Sequence, residues 1–405
     1  MEAPWFIFTG MRNTVLTLCL LAFSISCSTK ENATLIAFNT YCEMVANDAK
    51  PIALSEPIST EEMDERWDAF EEIAEKWNVS IYRETNFPVT QLFSAKVTVG
   101  KEVVAIYREP RLKQYEQLKT DLDKIEPMEA ARRFGRLLGY SPQGINELLM
   151  KNTDFRTLDS FGVERQITHL YYENAEEAKR FYREVLGLKT TDSNRFIISE
   201  EAQLQINAFD DEHTSDQAKS TAIAFLTDQL PLWYDHVQAQ EVPIKYTYKP
   251  REGGPHDGFV AIDPGGYLLE FEEFKQHPEN ELFMAYLEKA PRITTSIEDL
   301  NFYGSITWTY HHDLLKMQKF YEEVLGFQLV ADQGWTKIYR TSPTGFIGLV
   351  DERRGMMDYA DQKAVEIEWS LSDRKSSHVY FQQTSVWNGE KKALMGPEKY
   401  LYLLR

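Results

Sequence analysis

Apolar residues recur at helical spacing from Ser59 onward. The stretch "STEEMDERWDAFEEIAEKW" sets Met63, Trp67, Phe70 and Ile73 on one face, with Ser59 and Glu62 in capping-box register. Strand-like runs follow at 79–82, 91–99 and 102–107, and Gly100 supplies a hairpin turn between the last two. Helical periodicity returns over 112–125, 127–138 and 142–151. These elements predict a small α+β domain over 58–158, preceded by a linker over 28–57 that shows little periodicity. Arg132, Arg133 and Arg136 on its penultimate helix suit either an anion or a solvated helix face.

A longer pattern then occurs twice. "ITHLYYENAEEAKRFYREVLGL" begins at Ile167, and "ITWTYHHDLLKMQKFYEEVLGF" begins 139 residues later at Ile306. The same offset relates Phe181 to Phe320, Tyr182 to Tyr321 and Gly187 to Gly326. Each copy reads as a strand, a polar N-cap (Asn174 or Asp313), an amphipathic helix and a glycine stop. In the first copy, strands are expected near 195–199, 203–208, 222–226, 244–248, 258–261 and 267–271, with a helix over 230–240. "AIDPGGYLLEF" marks a tight turn at Asp263 to Gly266 between the last two strands. So long a period signals duplicated domains rather than a solenoid, here 163–275 and 302–405.

Composition narrows the partners. A formal charge of −19 and a pI near 5.0 oppose binding to nucleic acid or to an anionic membrane surface, since both need the opposite sign. Residues 11–27 have a short charged start and an apolar run too short to span a bilayer, which is the pattern of a signal peptide with Met11 as initiator. The run ends in "FSISCS", which resembles a bacterial lipobox with Cys27 as the lipidated residue, although Ser24 stands where leucine is usual. That resemblance implies a lipid-anchored protein of the bacterial cell envelope, periplasmic or at the outer membrane. After cleavage Cys27 and Cys42 remain, so no disulfide framework exists and Cys42 is expected to be packed.

"FYREVLGL" followed by "DPGGYLLEF", and the diverged pair "FYEEVLGF" and "GPEKYLYLL", resemble the vicinal oxygen chelate superfamily of glyoxalases, extradiol dioxygenases and bleomycin-resistance proteins. The resemblance implies an α+β fold of tandem βαβββ domains, with curved mixed or antiparallel sheets around a cleft. It also implies a divalent metal held by strand residues, acting as a Lewis acid on a small-molecule ligand. Carried over by position, the ligand sites fall on Ile167 and Ile306, near Gln205 and Gly348, and near Ala222 and Ile367. Only the last, Glu270, keeps a carboxylate; its counterpart is Leu403.

His169 lies two residues after Ile167, where Trp308 stands in the second copy, and His256 leads into the Glu270 hairpin. His169, His256 and Glu270 are therefore the candidate catalytic set, expected to face one cleft, with Glu270 as the one candidate metal ligand. Glu272 shares the Glu270 face but is expected at a solvated edge, and His311 and His312 are expected at the surface. The cofactor is either absent or a divalent ion. Expected partners are a small-molecule ligand, a membrane through the N-terminal anchor alone and, as an open alternative, a second copy in a homodimer. Function divides among a lyase, isomerase or dioxygenase, a metal-free sequestration protein of the bleomycin-resistance type, and a non-catalytic envelope module.

Overall fold

The computed structural model describes residues 33–93 and 99–405, so the signal segment 11–27 with Cys27, and residues 94–98 of the expected strand, lie outside the described residues. The chain forms two compact units, Met1–Phe155 and Arg156–Arg405. Among the described residues no helix is long and apolar enough to cross a membrane.

In the first unit a three-stranded antiparallel sheet runs Ile52–Leu54, Val103–Tyr107, Ser80–Glu84 in spatial order. Thr60–Trp77 is a helix, and its Ser59–Glu62 capping box closes in both directions. The linker reading fails within the described residues. Residues 33–46 form a helix whose Phe38, Cys42 and Val45 are buried at i, i+4, i+7 spacing, and Ile52–Leu54 is an edge strand. Burial pushes the Cys42 thiol up to about 12, so it packs as a small apolar group. Gln91–Phe93 form a turn, not a strand. Arg132 is buried and donates to Asn146 (3.0 Å), while Arg133 and Arg136 reach Glu129.

The second unit holds four βαβββ-like modules, 163–208, 221–274, 304–351 and 365–404, in two eight-stranded mixed sheets. The modules do not pair in chain order. Strand Gly304–His311 pairs antiparallel with Thr221–Leu226, joining modules two and three, whereas Val365–Leu371 pairs with Val163–Tyr172, joining modules four and one. Neither tandem copy therefore closes a sheet of its own. Within each module the opening strand runs parallel to one from its own hairpins: Val163–Tyr172 with Ala202–Ala208, Thr221–Leu226 with Leu268–Phe274, Gly304–His311 with Gly345–Asp351, and Val365–Leu371 with Leu401–Leu404.

Strand alternation assigns the faces. Leu170, Tyr172, Ile223, Phe225, Ile347 and Trp369 point into one large core that also takes up the helices through Phe181, Tyr182, Trp233, Phe320 and Tyr321. At its centre Thr168 meets Thr307 with hydroxyls 2.6 Å apart. These are the same position of the repeat, so an approximate two-fold axis passes between them. The symmetry recurs in two tyrosines: Tyr267 Oη accepts from the Tyr171 amide (2.9 Å) and Tyr400 Oη from the Tyr310 amide (2.9 Å). Both helix caps form as expected, with Asn174 and Asp313 accepting from amides three residues on. Each helix then widens into a π-turn, Phe181–Val185 and Phe320–Leu325, before the left-handed glycines Gly187 and Gly326. His311 contradicts its expected exposure. It is odd-numbered in a strand whose odd positions face the core, and it is fully buried between Glu398 (2.9 Å) and Thr309 (2.8 Å). His312 alone is exposed.

Candidate functional site

The outer face of the sheet shared by modules two and three forms a cleft. In the cleft of modules two and three, the hairpin His256–Ile262 to Leu268–Phe274 supplies one wall. Its turn is fixed by Asp263, which accepts from the amides of Gly265 and Tyr267. Phe271 then packs inward on Trp233 and Phe225, and alternation turns Glu270, Glu272 and Phe274 to the cleft. Facing them, Ile306, Trp308 and Tyr310 come from the opening strand of module three. Gly348, the parallel partner of Trp308, has a specific reason to be glycine: a Cβ there would lie 1.9 Å from the Trp308 ring. The place that the resemblance reserves for a metal-binding carboxylate in the second copy is thus given to an indole.

These residues enclose a cavity of about 150 Å³ lined by His256, Glu270, Glu272, Phe274, Trp308, Tyr310, Trp335 and Met356. It adjoins a groove of about 910 Å³ bearing Lys245, Lys249, Arg251 and Arg354. Three buried polar atoms here have no hydrogen-bond partner: His256 Nδ1, Glu272 Oε2 and Trp308 Nε1. Native interiors seldom leave such groups orphaned, and three around one cavity point to a ligand.

Burial pushes Glu272 up to about 8, and the Trp308 indole, though not in full hydrogen-bonding geometry, offsets part of the rise. Burial, then the charge of Glu272, pushes Glu270 well above the carboxylate range, and Lys245 opposes this. At neutral pH the pair therefore holds a proton. Burial lowers His256 and keeps its ring neutral.

The corresponding face of modules one and four, the other cleft, is built from the matching strands, but its glutamates are buried and satisfied. His169 Nε2 lies 3.1 Å from Glu368, and Arg195 approaches the same carboxylate at 3.6 Å. Tyr171 donates to Glu366 (2.8 Å), and His213 stacks on the Tyr171 ring at 3.6 Å while reaching Glu366 and Asp210. Burial alone would raise both glutamates. The hydrogen bonds and charges of His213, Tyr171 and His169 outweigh it at Glu366, as those of His169 and Arg195 do at Glu368, holding both below the ordinary range.

Of the sequence candidates, His256 and Glu270 share a cleft, and His169 stands in the other one. The three do not converge, because module one pairs with module four. Glu272 is not at a solvated edge but is 6% exposed against the cavity. Sequence reading missed Glu366 and Glu368. It placed the ligand position on Ile367, which faces the core, and its two neighbours carry carboxylates to the cleft.

Residues 165–271 match the model of the Glyoxalase/Bleomycin resistance protein/Dioxygenase superfamily. The match spans 107 of the chain's 405 residues. Similar solved structures include glyoxalase I from Zea mays (15% identity, TM-score 0.41, covering 61% of this chain and 94% of that one). A putative dioxygenase from Bacillus subtilis subsp. subtilis str. 168 is 16% identical, with TM-score 0.38 and coverage of 62% and 85%. No curated protein matches the chain.

The glyoxalase-superfamily resemblance implies a metal, and the Glu270 cleft does not fit one. Ala222, Ile306 and Gly348 offer no ligand, Trp308 presents an N–H donor, and among the described residues Glu270, Glu272 and His256 do not bring three donor atoms within 4.8 Å of one another. Among the described residues, the set of three ligands whose donor atoms lie within 4.8 Å of one another is Glu212, His213 and Glu366, at the other cleft.

Proposed function

We propose that this protein binds a small organic molecule in the cleft walled by Glu270, Glu272, His256 and Trp308, and exchanges a proton with it. The observation that carries this reading is a buried carboxyl, Glu272, left without a hydrogen-bond partner beside a second carboxyl at a ring-sized cavity. Glu270, held protonated by burial and by the charge of Glu272, donates to a ligand carbonyl, and Glu272, ionised as pH rises toward about 8, accepts a proton from the adjacent carbon. This is the division of labour of an acid and base whose protonation states are set apart by their surroundings. His256, neutral and with Nδ1 free, is placed to hold a second polar group of the ligand. The reaction class is an isomerase or lyase step.

The test is deuterium incorporation from D2O into bound carbonyl compounds, followed by NMR. Wild-type protein should label the carbon next to the carbonyl, and Glu270→Gln or Glu272→Gln should slow labelling by roughly 100-fold or more. Binding without labelling would leave a sequestration protein. Export by residues 11–27 and lipid attachment at Cys27 belong to the same proposal. They rest on the sequence and are tested by mass spectrometry of the mature N-terminus.

A second reading is favoured by the convergence of Glu212, His213 and Glu366, which would hold a divalent ion at the other cleft. Elemental analysis of purified protein, with and without His213→Ala, decides it. Loss of about one metal per chain in the variant supports that reading, and no metal in either protein ends it.

A further inference from the structure

Resting on the acid–base cleft above, the geometry points to a ligand class: a molecule of about one ring, with a neutral oxygen at one end and an anionic group at the other. The inner cavity sets the ring. At about 150 Å³ it matches a cavity that accepts a benzene-sized guest, and Trp308, Tyr310, Trp335, Phe274 and Met356 give it flat apolar walls. The neutral oxygen is set by the floor. Glu270 and Glu272 repel an anion when ionised and donate to an oxygen when protonated, so the buried end of the ligand carries no negative charge.

The anionic end is set by the mouth. The chain carries a formal charge of −19, yet the adjoining groove gathers Lys245, Lys249, Arg251 and Arg354. Among the described residues none of the four has a carboxylate within 4.0 Å. Lys245 donates to the Met356 carbonyl (3.4 Å) and lies over the Tyr246 ring at 5.6 Å, and Arg354 lies over the Trp335 ring at 4.8 Å. Of the acids on the groove besides the pair, Asp257 is tied to Lys275 (2.6 Å), leaving Glu279 as the exposed one. Four cations without carboxylate partners, beside a pocket whose floor rejects charge, orient an amphiphilic anion with its ring inward. They also raise its local concentration against the repulsion of the rest of the surface.

The test uses the full chain and matched pairs of ring compounds. One pair is 3-(4-acetylphenyl)propanoate and its amide; the others are the corresponding indolyl and cyclohexyl acids and amides. Binding is read by tryptophan fluorescence and by calorimetry at low and high salt. At least one acid should bind about tenfold or more tightly than its amide at low salt. That gap should shrink to below about threefold at high salt, and also in Lys245→Met/Lys249→Met/Arg354→Met protein. Arg354→Gln alone, at an exposed position, serves if the triple variant does not fold. Equal binding of acid and amide, with loss of both in Glu272→Leu, would overturn the anionic end while leaving the acid–base cleft in place. No binding by any pair, or binding unchanged in Glu272→Leu, would overturn the cleft reading and the ligand class with it.

Discussion

In the cleft of modules one and four, Glu366 and Glu368 each meet an imidazole and a second donor; in the cleft of modules two and three, Glu270 and Glu272 line a cavity beside each other and an indole. Both pairs sit on cleft-facing strand positions of the same repeated architecture. In the first cleft partners keep the acids ionised, so the network stabilises the fold. In the second, burial without partners leaves a proton on the acids, a cost to stability that is typical of a site built for a ligand.

The sharpest way to break this contrast is to remove one acid from each cleft. Glu366→Ala should strip Tyr171 and His213 of their shared acceptor and destabilise the protein by roughly 3–5 kcal/mol in chemical denaturation. Glu272→Gln should instead raise stability at pH 7, since it replaces a buried, unpartnered carboxyl whose raised pKa costs stability there with a side chain that does not titrate. Equal losses in the two variants would show that the clefts do not differ as described.

Next in size is the floor of the ligand cleft. Gly348→Ala sets a methyl against the Trp308 ring and should cost about 1–3 kcal/mol and shift the tryptophan emission, whereas Gly144→Ala, where a methyl fits, should not move the emission.

The pH dependence separates the clefts by sign. A carboxyl whose folded pKa is raised, as in Glu272, adds stability below its unfolded pKa and loses it as pH rises toward about 8. Wild-type stability should therefore fall across roughly pH 5–8 by up to about 1.4 kcal/mol per pH unit for each such group, and Glu272→Gln should flatten that slope. Glu366 and Glu368, with lowered folded pKa values, act oppositely. Their contribution is present above the unfolded carboxylate pKa and is lost as pH falls through their folded values, so Glu366→Gln should flatten the acid limb only.

The smallest effect sharpens the assignment of His169. His169→Ala should change ligand affinity at the Glu270 cleft by less than about twofold while costing roughly 1 kcal/mol of stability. A large loss of affinity would mean the clefts communicate.

Much of this was legible beforehand, for local reasons. Helix caps at Asn174 and Asp313, glycine stops at Gly187 and Gly326, and the Asp263 turn depend on a few neighbouring residues, so the chain states them directly. Glu270 and Glu272 were assigned to one face because a strand has a period of two. The helix over 33–46 was missed although Phe38, Cys42 and Val45 carry its spacing, because a signal segment before it suggested a spacer. His311 was misplaced because its burial depends on the second sheet. Glu366 was missed because a one-residue slip in carrying a strand position across a diverged repeat exchanges the two faces.

The amino-acid order by itself determined four modules, their internal turns and the side chains each strand can offer to either face. Only the tertiary structure decided which modules share a sheet. Pairing across the axis at Thr168 and Thr307 separates His169 from Glu270 and brings Trp308 opposite Glu272. The reason is physical: each module exposes one unpaired opening strand, and two such edges satisfy each other's backbone hydrogen bonds equally well in either partnership. The choice thus falls to packing between residues more than a hundred positions apart.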